Sequence, residues 1–297
     1  MSSQVLTSIP RPMAIMAECR ACLVRLVELT VSLATPDPEL QSQARDAALA
    51  VIEAEFAPGA IPALIASCFH DRIRRLTGNP DPFLAYKRQE TAFLSEYFPR
   101  VAPAYPPELE ALLKLAALGN AVDFFRSRRE VTADLTATVR FARSQVAEFR
   151  DRLGRKPGLL LYLADNAGEQ YFDAPLAGHL RRLGWQVLYV VKGGPVQNDL
   201  TRRDLEESGL QGELDPVLDT GAQTVGLDLK NSAPTFQEAY ARAGLILAKG
   251  MGHFETLSHL AEPRLFFLFQ AKCRPVATAA GVDPGEFVFC RGPHNFP

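Results

Sequence analysis

The run Leu159-Leu160-Leu161-Tyr162-Leu163-Ala164, closed abruptly by Asp165-Asn166-Ala167-Gly168-Glu169, constrains this chain more than any other stretch. An apolar run without polar alternation reads as a strand buried on both faces, as in a parallel sheet covered by helices. A helix-like segment follows, so Asp165 and Asn166 stand at the carboxyl end of the strand, the edge where open α/β sheets keep their binding crevices. The pattern recurs one crossover later, where Trp185 to Lys192 runs into Gly193-Gly194-Pro195-Val196-Gln197-Asn198-Asp199. Two successive strands ending in Asn/Asp pairs point to a metal or a phosphate on that shared edge.

The period of the apolar residues changes near Gly154-Arg155-Lys156-Pro157-Gly158. Before it, from Met13 to about Phe149, apolar residues recur at helical spacing, as in Val24, Val27 and Val31 or Leu109, Leu112, Leu113 and Ala116. Proline-rich punctuation at Thr35–Pro38, Asn79–Pro82 and Pro103–Pro107 separates the helices. Residues 1–154 are therefore expected to form a helical N-terminal region that folds alone or caps the crevice. Beyond it, strands are expected at Leu159–Ala164, Val187–Val191, Asp215–Asp219, Leu245–Lys249, Arg264–Phe269 and Glu286–Cys290, with helical stretches between them. Such alternation implies right-handed crossovers. Residues 155–297 should thus be a three-layer α/β/α, Rossmann-like unit with a mainly parallel sheet, which carries the chemistry.

Composition excludes several function classes. Of 297 residues, 47% are apolar and 22% charged, with a formal charge of -2 and no dense Lys/Arg block, which argues against a nucleic-acid partner. No apolar run approaches the roughly 18 residues of a spanning helix, and no secretory leader pattern is seen, so a cytoplasmic location without membrane contact is expected. The five cysteines show no disulfide framework. Cys19 and Cys22 form a C-x-x-C in a helix-periodic segment, with packing thiols or a redox or metal role as the two readings.

The residue types at the strand ends suit a hard cation. Asp165 and Asn166, joined by Asp199, make an all-oxygen half-shell with open positions, better matched to Mg²⁺, Mn²⁺ or a similar ion than to structural zinc. The bland reading is that Asp165 and Asn166 only cap the next helix. Gly168 allows a close turn, and Glu169 could hold a metal-bound water or a substrate hydroxyl. Opposite charge comes from Lys249, which ends a strand and opens the turn Gly250-Met251-Gly252-His253, and from Lys272 after the following strand. A metal with lysines suggests phosphoryl chemistry. His253 could act as acid, base or metal ligand, or simply face water. The G-x-S-x-G, H-E-x-x-H, G-x-x-x-x-G-K-[ST] and G-x-G-x-x-G patterns are missing from the sequence.

Taken together, D-N-A-G-E-x-x-x-D at Asp165–Asp173, K-G-x-P-x-x-N-D-x-T-x-x-D at Lys192–Asp204, A-K-G-x-G-x-F-E at Ala248–Glu255 and A-K-C at Ala271–Cys273 resemble the metal-dependent damage-control phosphatases. The resemblance reaches the helical half through C-x-x-C-L at Cys19–Leu23, D-P-F-x-x-x-K at Asp81–Lys87 and G-N-x-x-D at Gly119–Asp123. In compactness the chain is similar to the archaeal and bacterial branch. The resemblance implies a divalent metal, Mn²⁺, Mg²⁺, Co²⁺ or Ni²⁺, held by Asp165, Asn166 and Asp199. It implies hydrolysis of phosphate monoesters of small metabolites such as sugar phosphates, phosphopantetheine derivatives or damaged phosphometabolites. Lys272 would contact the phosphate, Lys249, Glu169 and Asn198 would line the site, and Asn120 and Asp123 would approach from the helical half. By their own chemistry, Gly250 and His253 in the turn after Lys249 could also contact the phosphate. Either an aspartate attacks phosphorus, or a metal-activated water does with Asp165 or Asp199 positioning it. His253 stands where the family usually has Asn, and Met251 where it has a polar residue.

Two other classes compete. An S-adenosylmethionine-dependent methyltransferase would share a Rossmann-like sheet, although Asp165-Asn166 occupies the turn that a glycine-rich loop would need. A non-catalytic metal- or metabolite-binding protein would keep the pocket without turnover. Metal-dependent hydrolysis and adenosylmethionine binding discriminate among the three.

Overall fold

The computed structural model describes residues 11–121 and 139–292. Five helices come first: α1 (Ala17–Ala34), α2 (Pro38–Glu55), α3 (Pro62–Thr77), α4 (Leu84–Val101) and α5 (Leu109–Gly119). Their starts follow from local chemistry. Asp37 caps α2, accepting from the Glu39 amide at 2.9 Å, with Pro38 at the first helical position. Helix α3 likewise opens on Pro62 and ends on Gly78 in the left-handed conformation. Helices α1 to α3 share a core that includes Leu23, Val27, Val31, Ile52, Phe69 and Ile73.

The remainder alternates: β1 (Phe141–Ser144), α6 (Val146–Leu153), β2 (Leu159–Leu163), α7 (Gln170–Arg182), β3 (Gln186–Val191), α8 (Arg202–Glu207), α9 (Gln211–Leu214) and β4 (Val217–Asp219). Then come α10 (Pro234–Arg242), β5 (Leu245–Lys249), α11 (Met251–Leu257), β6 (Leu265–Gln270), α12 (Arg274–Ala280) and β7 (Phe287–Arg291). The seven strands form one sheet in the order β1-β7-β6-β5-β2-β3-β4. All pairings are parallel except β6 with β7. The expected α/β/α architecture with a mainly parallel sheet is therefore observed.

Side chains of the apolar strands divide by the period of two. Leu160 and Tyr162 of β2 and Phe266 and Leu268 of β6 join the core shared with α4, α5 and α7. Their neighbours Leu161, Leu163, Phe267 and Phe269 join the core under α10, α11 and α12. From β2 the chain builds outward to β3 and β4, then returns to place β5 on the other side of β2. The switch in strand order thus falls between β2 and β5, and open α/β sheets bind ligands outside the strand ends at that point.

Among the described residues, the helical reading up to Phe149 is corrected at one place. Phe141–Ser144 is a strand, paired parallel with β7. Phe141 and Arg143 are buried while Ala142 and Ser144 are less so, and the charge at an inward position hides a four-residue alternation from sequence inspection.

Candidate active site

The two oxygen-bearing turns are tied together by their backbones. The Leu200 amide donates to the Asp165 carbonyl at 2.8 Å, the Ala167 amide donates to the Asn198 carbonyl at 2.9 Å, and Asn166 and Asp199 form an antiparallel bridge. Gln197, just before Asn198, takes a left-handed φ of 46°, a conformation that costs a non-glycine residue about 1 kcal/mol or more. This local strain turns the second loop back onto the first. Asp165, Asn166, Asn198 and Asp199 consequently line a single cavity of about 1170 Å³ between the sheet edge and the helical region. Lys272 and Asn120 also line it.

Asn120 sets the orientation of Asp165. As the residue that closes α5, it accepts from the Gln270 amide through Oδ1 at 3.1 Å, so its Nδ2 is the end that donates to Asp165 Oδ2 at 2.7 Å and to Glu169 Oε1 at 3.1 Å. Asn166 Nδ2 adds bonds to the same two oxygens at 2.9 and 2.7 Å. Asp165 thus accepts from side-chain amides and does not cap α7. With its nitrogen bound to carboxylates, Asn166 retains its amide oxygen as a donor atom for a cation. Asp123, expected beside Asn120, lies outside the described residues.

Beneath these groups lies a buried ionic layer. Lys249 is fully buried, 2.7 Å from Glu169 and paired closely with Asp173. Tyr162 and Tyr189, opposite one another on β2 and β3, donate to the two oxygens of Asp173 at 2.9 and 2.7 Å. Lys192 ends β3 as Lys249 ends β5, and its Nζ is 3.3 Å from Asp199 Oδ2 without an aligned hydrogen bond. No hydrogen-bond donor among the described residues is aligned on Asp199 Oδ2, which keeps its lone pairs open. Among the described residues, four carboxylates, Asp165, Glu169, Asp173 and Asp199, face two buried lysines, with Lys272 on the cavity wall as a third cation, so the anions outnumber the cations when all are ionised.

The titration of these groups follows from that layout. Burial pushes the Asp165 carboxyl well up, reinforced by Glu169 and Asp199 and opposed by Lys192 and Lys272. Burial also raises Asp199, with Lys192 opposing. For Glu169 burial pushes upward most, yet the charge and hydrogen bonds of Lys249, with Lys272 and Asn166, leave its carboxyl below the ordinary value. A pair of buried carboxyls that resist ionisation beside a third that is ionised describes a site short of positive charge.

Gly250 brings the β5 turn against Asp165. It holds φ at 83°, and a Cβ there would overlap the Asp165 carboxylate itself. Gly168, at φ 99°, similarly lets the β2 turn approach Leu94 and the backbone of Glu90 on α4.

Of the residues nominated from sequence, Asn120, Asp165, Asn166, Asn198, Asp199 and Lys272 come together on the cavity wall. Glu169, Lys249 and His253 lie behind it. His253 is buried, with Nδ1 on the Lys249 carbonyl at 2.6 Å and Nε2 3.4 Å from Lys192 Nζ. Burial, then the charge of Lys192, holds its imidazole well below the usual range, so it is neutral, with Nδ1 as the donor and Nε2 presented to the ammonium. Residues not nominated include Lys192, Tyr162 and Tyr189, beside Asp173. Each carried a signal: a second strand-end lysine, and tyrosines inside otherwise apolar strands whose hydroxyls demand a partner.

Fold and site define an α/β/α protein with an oxygen-rich, lysine-flanked pocket at the switch point of its sheet. The model of the damage-control phosphatase ARMT1-like domain matches residues 15–288, and the chain belongs to that family. A damage-control phosphatase of Pyrococcus horikoshii is 33% identical over 286 residues, covering 94% of this chain and 98% of the relative. A damage-control phosphatase of Archaeoglobus fulgidus is 27% identical over 290 residues, covering 91% of this chain and 96% of the relative. The crystal structure of a DUF89 family protein from P. horikoshii superposes with a TM-score of 0.84 at 33% identity, covering 95% of this chain and all of that one.

Proposed function

We propose that this protein is a divalent-metal-dependent phosphatase that hydrolyses phosphate monoesters of small metabolites. The observation that carries the reading is the convergence of Asp165, Asn166 and Asp199 on the cavity floor through the backbone bridge between their turns, with Lys272 on the same wall. Membership of a damage-control phosphatase family supports it.

The donor set fits a hard divalent ion: two carboxylates and an amide oxygen, spare acceptor capacity on Asp199 Oδ2, and an excess of carboxylates over lysines among the described residues. Asp165, Asn166 and Asp199 would hold it. When bound, such an ion neutralises charge on the phosphoryl group and makes water more acidic. The chain's own residues supply the rest. Lys272 provides a cation for the phosphate oxygens, and Asn198 a hydrogen-bonding amide beside them. Asn120 and Gly250 hold the Asp165 carboxylate in place from two sides. Glu169 stays ionised on Lys249 and keeps both Asn120 and Asn166 turned with their nitrogens inward.

Hydrolysis of p-nitrophenyl phosphate by metal-stripped protein, with Mg²⁺, Mn²⁺, Co²⁺ or Ni²⁺ restored, tests this reading. Metal-restored turnover should fall on the order of 10²–10³-fold or more in Asp165→Ala and in Asp199→Ala. A protein that binds one of these ions yet turns over no phosphomonoester would instead be a binding protein, and the phosphatase reading would be withdrawn.

A further inference from the structure

Among the carboxylates of the cavity wall, Glu18 is paired with Arg274, but Glu255 has a different setting. It accepts one hydrogen bond, from the Ala63 amide in the first turn of α3 at 3.0 Å through Oε2. No lysine or arginine among the described residues neutralises it, and burial pushes its carboxyl up to about 7 against the pull of that amide. A carboxyl group on a cavity wall without a cation is costly to desolvate. Neither the metal donor set nor the buried lysine layer uses it.

Helix α11 places this group relative to the phosphate end. It starts directly after Gly250, which abuts the Asp165 carboxylate. Met251 and Glu255 are one turn apart, share a helix face and both line the cavity. The backbone rise from Gly250 to Glu255 is roughly 7 Å. The Lys272 amide donates to Met251 Sδ at 3.2 Å, so the lysine turn is pinned to the start of the same helix. From the cavity floor outward, the wall therefore runs from Asp165 through Lys272 and Met251 to Glu255. Titratable groups that feel the charge of Glu255 include Cys19 on α1 and Cys273 beside Lys272. Burial raises the Cys19 and Cys273 thiols, the latter to about 12, which leaves them neutral at physiological pH.

We propose that Glu255 is a specificity residue: it accepts a hydrogen bond from a hydroxyl or ammonium group on the carbon skeleton that carries the phosphate, and it rejects substrates that bear a second anionic group there. The substrate class is then a phosphomonoester whose body is uncharged or cationic, a polyol or amino-alcohol phosphate, in preference to a phosphorylated carboxylic acid. This rests on the phosphatase reading above. The physical basis is asymmetric discrimination, since a carboxylate facing a carboxylate in a desolvated wall is penalised more than a missing contact.

The test compares kcat/KM for glycerol 3-phosphate and 3-phosphoglycerate at pH 8 with the metal-loaded enzyme, wild type beside Glu255→Gln. The wild type should favour glycerol 3-phosphate by about tenfold or more, and E255Q, which keeps an acceptor for the Ala63 amide, should lose most of that preference. Equal use of the two substrates by the wild type, or an unchanged ratio in E255Q, overturns the proposal. Thermal melts establish that E255Q is folded. Should it not fold, Glu255→Asp replaces it: a charge set back by one methylene should weaken the preference, and an unaltered ratio counts against Glu255. p-Nitrophenyl phosphate is run alongside, because absent turnover of all three substrates defeats the phosphatase reading, whereas turnover without discrimination defeats only the role of Glu255.

Discussion

Lys249 at the end of β5 and Lys87 on α4 are both removed from water, and each sits between two carboxylates. Lys249 takes Glu169 and Asp173, one turn apart at the start of α7, so both partners arrive on one rigid element. Lys87 takes Asp81, just before its own helix, and Asp204 on α8, each at 2.8 Å, and so bridges the helical region to the sheet region. The same chemistry serves a base in one place and a seam in the other. Beneath the sheet edge the lysine fixes the charge and rotamers of groups that touch the candidate metal donors. At the seam it fixes where the helical wall stands over the cavity.

Removing either lysine leaves buried anions behind, the costly way to break an ionic cluster. Lys249→Met should have the larger effect: about 3–5 kcal/mol in urea unfolding, and loss of metal-dependent turnover, because Glu169 no longer holds Asn120 and Asn166. Lys87→Met should cost less, about 3 kcal/mol, since Asp204 keeps the Thr201 amide and hydroxyl and the Asp81 side chain is 13% exposed. Turnover per folded molecule should survive in Lys87→Met. A seam variant that is as inactive as the base variant would erase the distinction between the two regions.

The regions should also differ in how pH affects them. His70 in α3 is buried among Phe69 and Phe83, and burial, helped by Arg74, holds its imidazole down to about 3. In the unfolded chain it titrates near about 6.5. Between those values the unfolded state binds more protons, so stability is present above the unfolded value and is lost as pH falls toward the folded one. His70→Phe should therefore flatten the acid side of the stability profile by roughly 3 kcal/mol, read by chemical unfolding from pH 7 to 4.

Asp165 and Asp199 act in the opposite sense. Their carboxyls are raised in the folded protein, so their protonated native forms favour folding at low pH and that contribution is lost as pH rises through the folded values. Metal-free protein should accordingly gain stability on mild acidification from neutrality, in His70→Phe most clearly. Mn²⁺ or Mg²⁺ should raise the melting temperature more at pH 7.5 than at pH 5.5. An increment independent of pH would show that the cation does not bind at the raised carboxyls. These are the smallest effects of the series, because opposing groups partly cancel.

Much of the site is legible in the sequence. Strand-end chemistry in the chain at Asp165-Asn166 and Asn198-Asp199 was enough to nominate the donors, because the carboxyl ends of the strands in an open α/β sheet face its binding crevice. The switch of apolar period at Gly154–Gly158 was enough to indicate the α/β unit. The placement of the second-strand lysine was not legible, since Lys192 and Lys249 look alike in sequence and both end apolar strands. The positions of Lys249 and His253 behind the wall also required coordinates: a glycine-bearing turn is compatible with facing a ligand or packing against a strand end. The strand Phe141–Ser144 was hidden by the buried Arg143.

By itself, then, the sequence determined the class of fold and picked out the oxygen-bearing residues that gather on the cavity wall, because hydrophobic period and strand-end residue type are local properties. Only the tertiary structure decided which of the polar groups face the cavity and which neutralise one another beneath it. Those assignments depend on desolvation and on charges from β2, β3, β5 and α7 meeting at one point, and no local pattern carries that information.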